Sequence, residues 1–564
     1  RVLAYPLATL SAGSVINKPM AVIQGQSKSD VFGVGLAPWS AAGGTGLVVF
    51  SARSSSESGA FTGRLESFSR TGASLAEWTR SVAPVPAKPA VERFGEVVAA
   101  TTGVGGRAVA LVGAPGFAGP GPLADGNDLN AGRAYAYDVT QGTPAAMVAE
   151  GASSPVVKGR NVGTDVTFTD FNGDGRPDVV VGAPAFTVPA STATTDLAAY
   201  ASQKTGCITT SSQGVGGLLV SLGQADGSFK DAYRLWAPLQ IAGCTPDTDA
   251  RCKRSQIGRG VVGGFDFNGD GLNDIGALRN NGFEVFLGRA PDDSTLAKLT
   301  MGCDPLYFTD GSAVRQTTVP TALGDLNGDG CDEVAWRYTE SGRAGVIILF
   351  GYDLGGTRCG GRTTASWVRV AADGEVGGNF LGLGVAITRA GKFLNDTRDF
   401  VAISATSVPY DDVTQPAVLL FDKAQLVPLR PASGEALVGA LGGPLTPIPL
   451  VHRMRAVNFG RALEGGKDLT GDKIPDLIVS ATGASDASDG GGAVYIYAGG
   501  AQSQGKLSPW MLIVGDVTER SNFGQDLSLA PGGTSSPPTL IIGAPTSYRT
   551  GTQNGSAFSL PLGF

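Results

Sequence analysis

Four short stretches of this chain place an oxygen-bearing side chain at every second position. They are Asp170, Asn172, Asp174, Gly175, Arg176 and Asp178; Asp266, Asn268, Asp270, Gly271, Leu272 and Asp274; Asp325, Asn327, Asp329, Gly330, Cys331 and Glu333; and Asp468, Thr470, Asp472, Lys473, Ile474 and Asp476. Side chains at positions 1, 3 and 5 of such a run converge as the backbone curls, and glycine at position 6 permits the sharp turn. The carbonyl of position 7 (Arg176, Leu272, Cys331 or Ile474) then faces inward, and the carboxylate at position 9 closes the shell. A shell of six to eight oxygens at about 2.3–2.6 Å is what the hard cation Ca2+ takes. Each of the first three loops gathers three carboxylates or more, and a cation relieves their mutual repulsion. The expectation is about four Ca2+ sites. In the fourth loop Lys473 replaces the glycine, and a non-glycine residue in the left-handed conformation costs roughly 1 kcal/mol. Asn395, Asp396 and Asp399 form a further run too short for a full ligand set. All side-chain ligands are local to one hairpin, so the sites read as structural: an ion that binds only the folded form stabilises it.

An EF-hand opens with the same pattern. It also needs Glu at position 12 and flanking helices, whereas position 12 here is Val181, Ala277, Trp336 or Val479. The segments that follow, such as Val179-Val180-Val181-Gly182, read as strands. The chain has one histidine, His452, which excludes metal centres built from several His ligands and leaves Ser-His-Asp chemistry a single candidate. Gly-x-Ser-x-Gly does not occur on a strand–turn–helix, zinc-type Cys-x-x-Cys spacing is absent, and Gly-rich pieces such as Gly103-Val104-Gly105-Gly106 read as turns. The expectation is a chain that is not an enzyme, with no catalytic residues and no organic cofactor.

The acidic loops need hairpins to hold them, and the sequence supplies these as a repeat. Each unit begins with an aromatic or aliphatic residue followed by Gly. An apolar strand ending in Gly-Ala-Pro or a relative comes later, then a third and a fourth strand. The starts lie near residues 32, 94, 162, 257, 318, 380, 459 and 523. The clearest copy runs from Asn458-Phe459-Gly460 through Leu477-Ile478-Val479-Ser480-Ala481, Ala493-Val494-Tyr495-Ile496-Tyr497 and Trp510-Met511-Leu512-Ile513-Val514. Short strands rich in Val, Ile, Phe and Tyr, four to a repeat, predict propeller blades. The small residues of the second strand fit crowding near a central channel. The expected fold is all-β: a closed β-propeller of four-stranded antiparallel blades, eight in number with seven as runner-up, forming a single domain over residues 1–564. Strands from both ends close the ring, with Met20-Ala21-Val22-Ile23 completing the blade that ends at Ala557-Phe558-Ser559-Leu560. Val2-Leu3-Ala4-Tyr5 is then a surplus β segment.

The Phe-Gly starts, the Gly-Ala-Pro strand ends and the acidic loops, in this order and several times over, resemble the FG-GAP repeats that build the β-propeller of integrin α subunits. The resemblance covers nearly the whole chain. It implies a calcium-binding propeller module with an adhesive role; an eighth blade departs from the seven of integrin α. No inserted domain, transmembrane helix or leg domain accompanies it in this sequence.

Composition agrees with a turn-rich β protein: Gly is 84 of 564 residues, about twice the usual share, and charged residues are 16%. A net charge of −7 offers no basic face for nucleic acid. Six cysteines, at 207, 244, 252, 303, 331 and 359, suit disulfides in an oxidising compartment and allow fifteen pairings. No apolar run reaches the length of a membrane span. The expected location is extracellular, secreted or at the cell surface. In a propeller, the loops joining strands 2 and 3 and the blade linkers share the face opposite the calcium loops. The longest are 185–214, 117–130 and 238–254; Tyr410-Asp411-Asp412 and Tyr548-Arg549 lie in others. Long loops on a rigid scaffold carry recognition, so the expected function is a calcium-stabilised binding or adhesion module. Its expected partner is a protein or a glycan. A polysaccharide-acting, lyase-like enzyme and a structural spacer of an envelope assembly are the alternatives.

Overall fold

The computed structural model describes residues 14–16, 23–24, 32–41, 44–51, 64–70, 79–82, 94–95, 97–104, 107–116, 132–139, 143–150, 161–185, 216–235, 256–279, 282–289, 300–302, 306–308, 315–316, 320–340, 343–371, 382–394, 397–410, 413–426, 448–450, 457–484, 491–500, 509–515, 521–530, 539–545 and 556–561. The surplus segment Val2-Leu3-Ala4-Tyr5, His452, four of the six cysteines and most of the long loops named above lie outside these residues.

The described strands group into eight sheets, each built on four antiparallel strands in near-sequential order. The third sheet is typical: Val166–Thr169 pairs with Asp178–Ala183, then Gly217–Gly223, then Phe229–Leu235. The seventh runs Val457–Lys467, Asp476–Gly483, Ala493–Tyr497 and Met511–Val514. The eighth runs Leu527–Ala530, Thr539–Ala544 and Ser556–Pro561, and its fourth strand is Ile23–Gln24 from the other end of the chain, with Ile23 opposite Ala557. Two sheets gain a fifth, parallel strand at the outer edge. Ser14–Ile16 lies along Met511–Val514, and Thr300–Gly302 along Phe229–Leu235. In the fifth sheet the short strand Arg315–Gln316 pairs instead with the second strand, Glu333–Glu340.

The cores sit between successive sheets. Because side chains alternate across a strand, Val179 and Val181 pack on Leu111 and Ala136 of the second sheet, while Val180 packs on Val261 and Ile275 of the fourth. A strand covered on both faces is apolar along most of its length, and every residue of Asp178–Ala183, the leading Asp included, is buried.

The Phe-Gly turn joins one sheet to the next. The motif glycines Gly95, Gly163, Gly258, Gly384, Gly460 and Gly524 all have positive φ, between 74° and 97°. A Cβ on Gly182 would stand 2.1 Å from the carbonyl oxygen of Gly258, and one on Gly113 2.1 Å from that of Gly163. The expectation for these two glycines therefore needs correcting as to cause. Gly113 and Gly182 are small because the neighbouring sheet's Phe-Gly turn lies on them, not because of crowding round a channel. The residue before the glycine also bridges sheets: Val162, Ile257 and Phe523 pair in parallel with Gly132, Gly216 and Gly492 of the preceding sheet.

Candidate functional site

All four acidic loops connect the first and second strands of their sheets. The helices an EF-hand requires are therefore replaced by strands on both sides. Position 1 organises each loop. Asp170 accepts the N–H groups of Asp174 (3.0 Å) and Gly175 (2.8 Å), and Asp266 those of Asp270 (3.0 Å) and Gly271 (2.7 Å). Asp325 takes the amides of Gly328, Asp329 and Gly330; Asp468 takes those of Gly471 and Lys473. Position 3 converges on the same point in the first two loops, where Asn172 and Asn268 each accept the position-5 N–H at 3.2 Å. The position-5 carboxylates of Asp174, Asp270, Asp329 and Asp472 accept the amides of Arg176, Leu272, Cys331 and Ile474.

Position 9 has a second task, which reaches beyond its own hairpin. Asp178, Asp274, Glu333 and Asp476 are fully buried. Each accepts the N–H of position 2: Phe171 at 2.9 Å, Phe267 at 2.7 Å, Leu326 at 2.7 Å and Leu469 at 2.5 Å. Each also accepts an N–H from the end of the third strand, from Gly223, Gly288, Gly351 and Gly499. Burial, reinforced by the other loop carboxylates and opposed by these hydrogen bonds, pushes Asp178 up to about 7, Asp274 and Glu333 to about 8 and Asp476 to about 6.

The residues fit a hard cation in part. The Oδ1 atom of Asn327, at position 3 of the third loop, is buried without a hydrogen-bond partner while its Nδ2 donates to Glu333. An unsatisfied buried acceptor in an acidic loop is what an ion would satisfy. Each carboxylate oxygen that takes one N–H keeps a further lone pair. Among the described residues no three Asp, Glu, His or Cys side chains are already drawn into a metal-ligand cluster. Guanidinium groups stand in two of the loops: Arg176 pairs with Asp174 at 2.7 Å, and Arg362 pairs with Asp329. Asp332 ties the second loop to the third by exchanging backbone and side-chain hydrogen bonds with Asp266. A disulfide between Cys331 and Cys359 fastens the third loop to the segment after the third strand.

The FG-GAP repeat family model matches residues 162–206 and 459–497, stretches that contain the first and fourth loops. The chain carries FG-GAP repeats. The sixth sheet handles its acid differently. Arg389 grips Asp399 at 2.6 Å and donates to the Leu323 carbonyl of the preceding sheet, so a guanidinium supplies the positive charge where the acidic run is short. Arg362, Cys359 and Arg389 were beyond sequence reasoning about the FG-GAP loops, since no spacing rule links them to the motif; only the even cysteine count hinted at a bridge. No curated protein matches the chain. Among solved structures, two crystals of BBS1N in complex with ARL6DN, one soaked with mercury and one with lead, align at 11% identity over 71% of this chain. They cover 92% and 91% of the BBS1N chain, with TM-scores of 0.30 and 0.26, and these loose superpositions carry no argument.

Proposed function

We propose that this chain is a closed eight-bladed propeller whose acidic loops bind about four Ca2+ ions and which serves outside the cell as a binding or adhesion module. The observation that carries the proposal is the loop geometry itself, repeated in four sheets and leaving the Oδ1 of Asn327 unsatisfied. Closure is supported where the last sheet meets the first: the N–H of Leu36 donates to Asp526, and Phe32–Ala41 lies along Leu527–Ala530 and Thr539–Ala544. The Cys331–Cys359 bridge favours an oxidising compartment, and no helix among the described residues is long and apolar enough to cross a membrane. Recognition of a protein or glycan falls to the loops opposite the calcium loops, on a scaffold that is a binder and not an enzyme.

The test is thermal unfolding with excess chelator, then with Ca2+ or Mg2+ restored. The melting temperature falls on chelation and recovers with Ca2+ more than with Mg2+. An unchanged curve sinks the calcium reading. Glycan and protein arrays test the binding role; turnover of a polyuronate substrate by a chain that binds nothing on either array would make it an enzyme.

A further inference from the structure

The inner edges of six sheets surround a cavity of about 1090 Å3. The residue that follows the motif glycine reaches its wall in five sheets: Thr164, Arg259, Val385, Arg461 and Gln525. The positive φ of the preceding glycine, 87°, 97°, 77°, 85° and 88° in turn, gives the five the same local geometry. The glycine is thus fixed by the turn, while the next residue differs from sheet to sheet.

Two of the five are arginines, on the fourth and seventh sheets. Arg259 and Arg461 are exposed on the cavity wall, and neither forms an ion pair with another described residue. Arg279, also on the wall, is buried and bound to Glu284 at 2.5 Å, so its charge is already matched. The wall's two carboxyl groups are held back by burial, which pushes Asp526 up to about 7 and raises Glu464. Asp526 is further occupied by the amides of Leu36 and Leu527. The remaining wall mixes the polar side chains of Asn161, Thr164, Thr321 and Gln525 with aliphatic ones such as Leu278 and Ile387, and it has no aromatic ring on which a base would stack.

We infer that this cavity is a binding site for an acidic saccharide carrying at least two anionic groups, one for each of Arg259 and Arg461. A planar guanidinium takes a carboxylate or sulfate by paired hydrogen bonds. Threonine, glutamine and backbone groups suit a hydroxyl-rich body, and the volume holds a disaccharide. The inference concerns a place distinct from the acidic loops, and it does not require those loops to hold metal.

The test is calorimetric titration of the full chain in excess Ca2+ with three probes: digalacturonate, a disulfated chondroitin disaccharide and neutral cellobiose. At least one acidic probe binds tenfold or more tightly than cellobiose, and the better of the two says whether carboxylate or sulfate is the preferred group. Arg259→Ala and Arg461→Ala each weaken that binding about tenfold, whereas Lys230→Ala, on an exposed outer strand, leaves it unchanged. Melting curves confirm that each variant folds, and Arg259→Lys and Arg461→Lys replace any alanine variant that does not. Acidic probes that bind no better than cellobiose, or folded arginine variants that bind like the parent, overturn the inference. Calcium dependence of the melting temperature would survive that failure, which separates it from a failure of the metal-site proposal.

Discussion

Lys473 bears a strain that glycine avoids in the other three loops. Its φ is 68°, beside 81° for Gly175, 84° for Gly271 and 84° for Gly330. Lys473→Gly is expected to stabilise the fold by about 1 kcal/mol, read from denaturant unfolding; an unchanged or lowered midpoint contradicts this. Asp165 and Asp526 show a second effect of single residues. Each binds an adjacent N–H and an N–H from another sheet, Val261 and Leu36 respectively, and burial pushes each up to about 7. A carboxyl raised in the folded state favours folding while protonated. Its contribution is complete below the ordinary value of 3.8 and is lost as pH climbs to about 7. In saturating Ca2+ the unfolding midpoint should fall between pH 5 and pH 8, and the double variant Asp165→Asn/Asp526→Asn should show a flatter profile. The acidic residues of the loops were all legible in the sequence, because their alternation is local. The double duty of position 9 was not. Its second partner lies as far off as Gly223 is from Asp178, 45 residues, and follows only from how the third strand returns.

At the level of strands, hydrophobic runs and the Phe-Gly start were enough to place all four strands of the seventh sheet. The short edge strands were not legible. Ser14–Ile16, Thr300–Gly302 and Arg315–Gln316 hold two or three residues each, too few for any periodicity, and pair only because an edge is there to receive them. Gly113 and Gly182 were read as small by necessity, but the neighbour that requires it is the next sheet's Phe-Gly turn. Gly182→Val tests the correction. Its Cβ would meet the backbone of Gly258, which cannot yield as a side chain does, so the expected loss is about 3 kcal/mol. The same substitution at Gly175, where a Cβ meets nothing within 4 Å, adds only the strain of its positive φ and should cost less.

On the scale of the whole molecule, the N-terminal strands serve as outer edges of the last two sheets. Deleting residues 1–24 removes Ser14–Ile16 from the seventh sheet and Ile23–Gln24 from the eighth. The truncated chain is expected to melt at a lower temperature and to be cut first around Ser556–Pro561, which loses its pairing partner, under limited proteolysis; an unaltered digestion pattern contradicts this role. The same arrangement constrains biogenesis. Ser14–Ile16 and Ile23–Gln24 are synthesised well before their partners Met511–Val514 and Ser556–Pro561, so the seventh and eighth sheets cannot be completed until those later strands emerge from the ribosome. Pairing over such separation is slow, and until those later strands emerge the nascent polypeptide presents unpaired edges that other chains can capture.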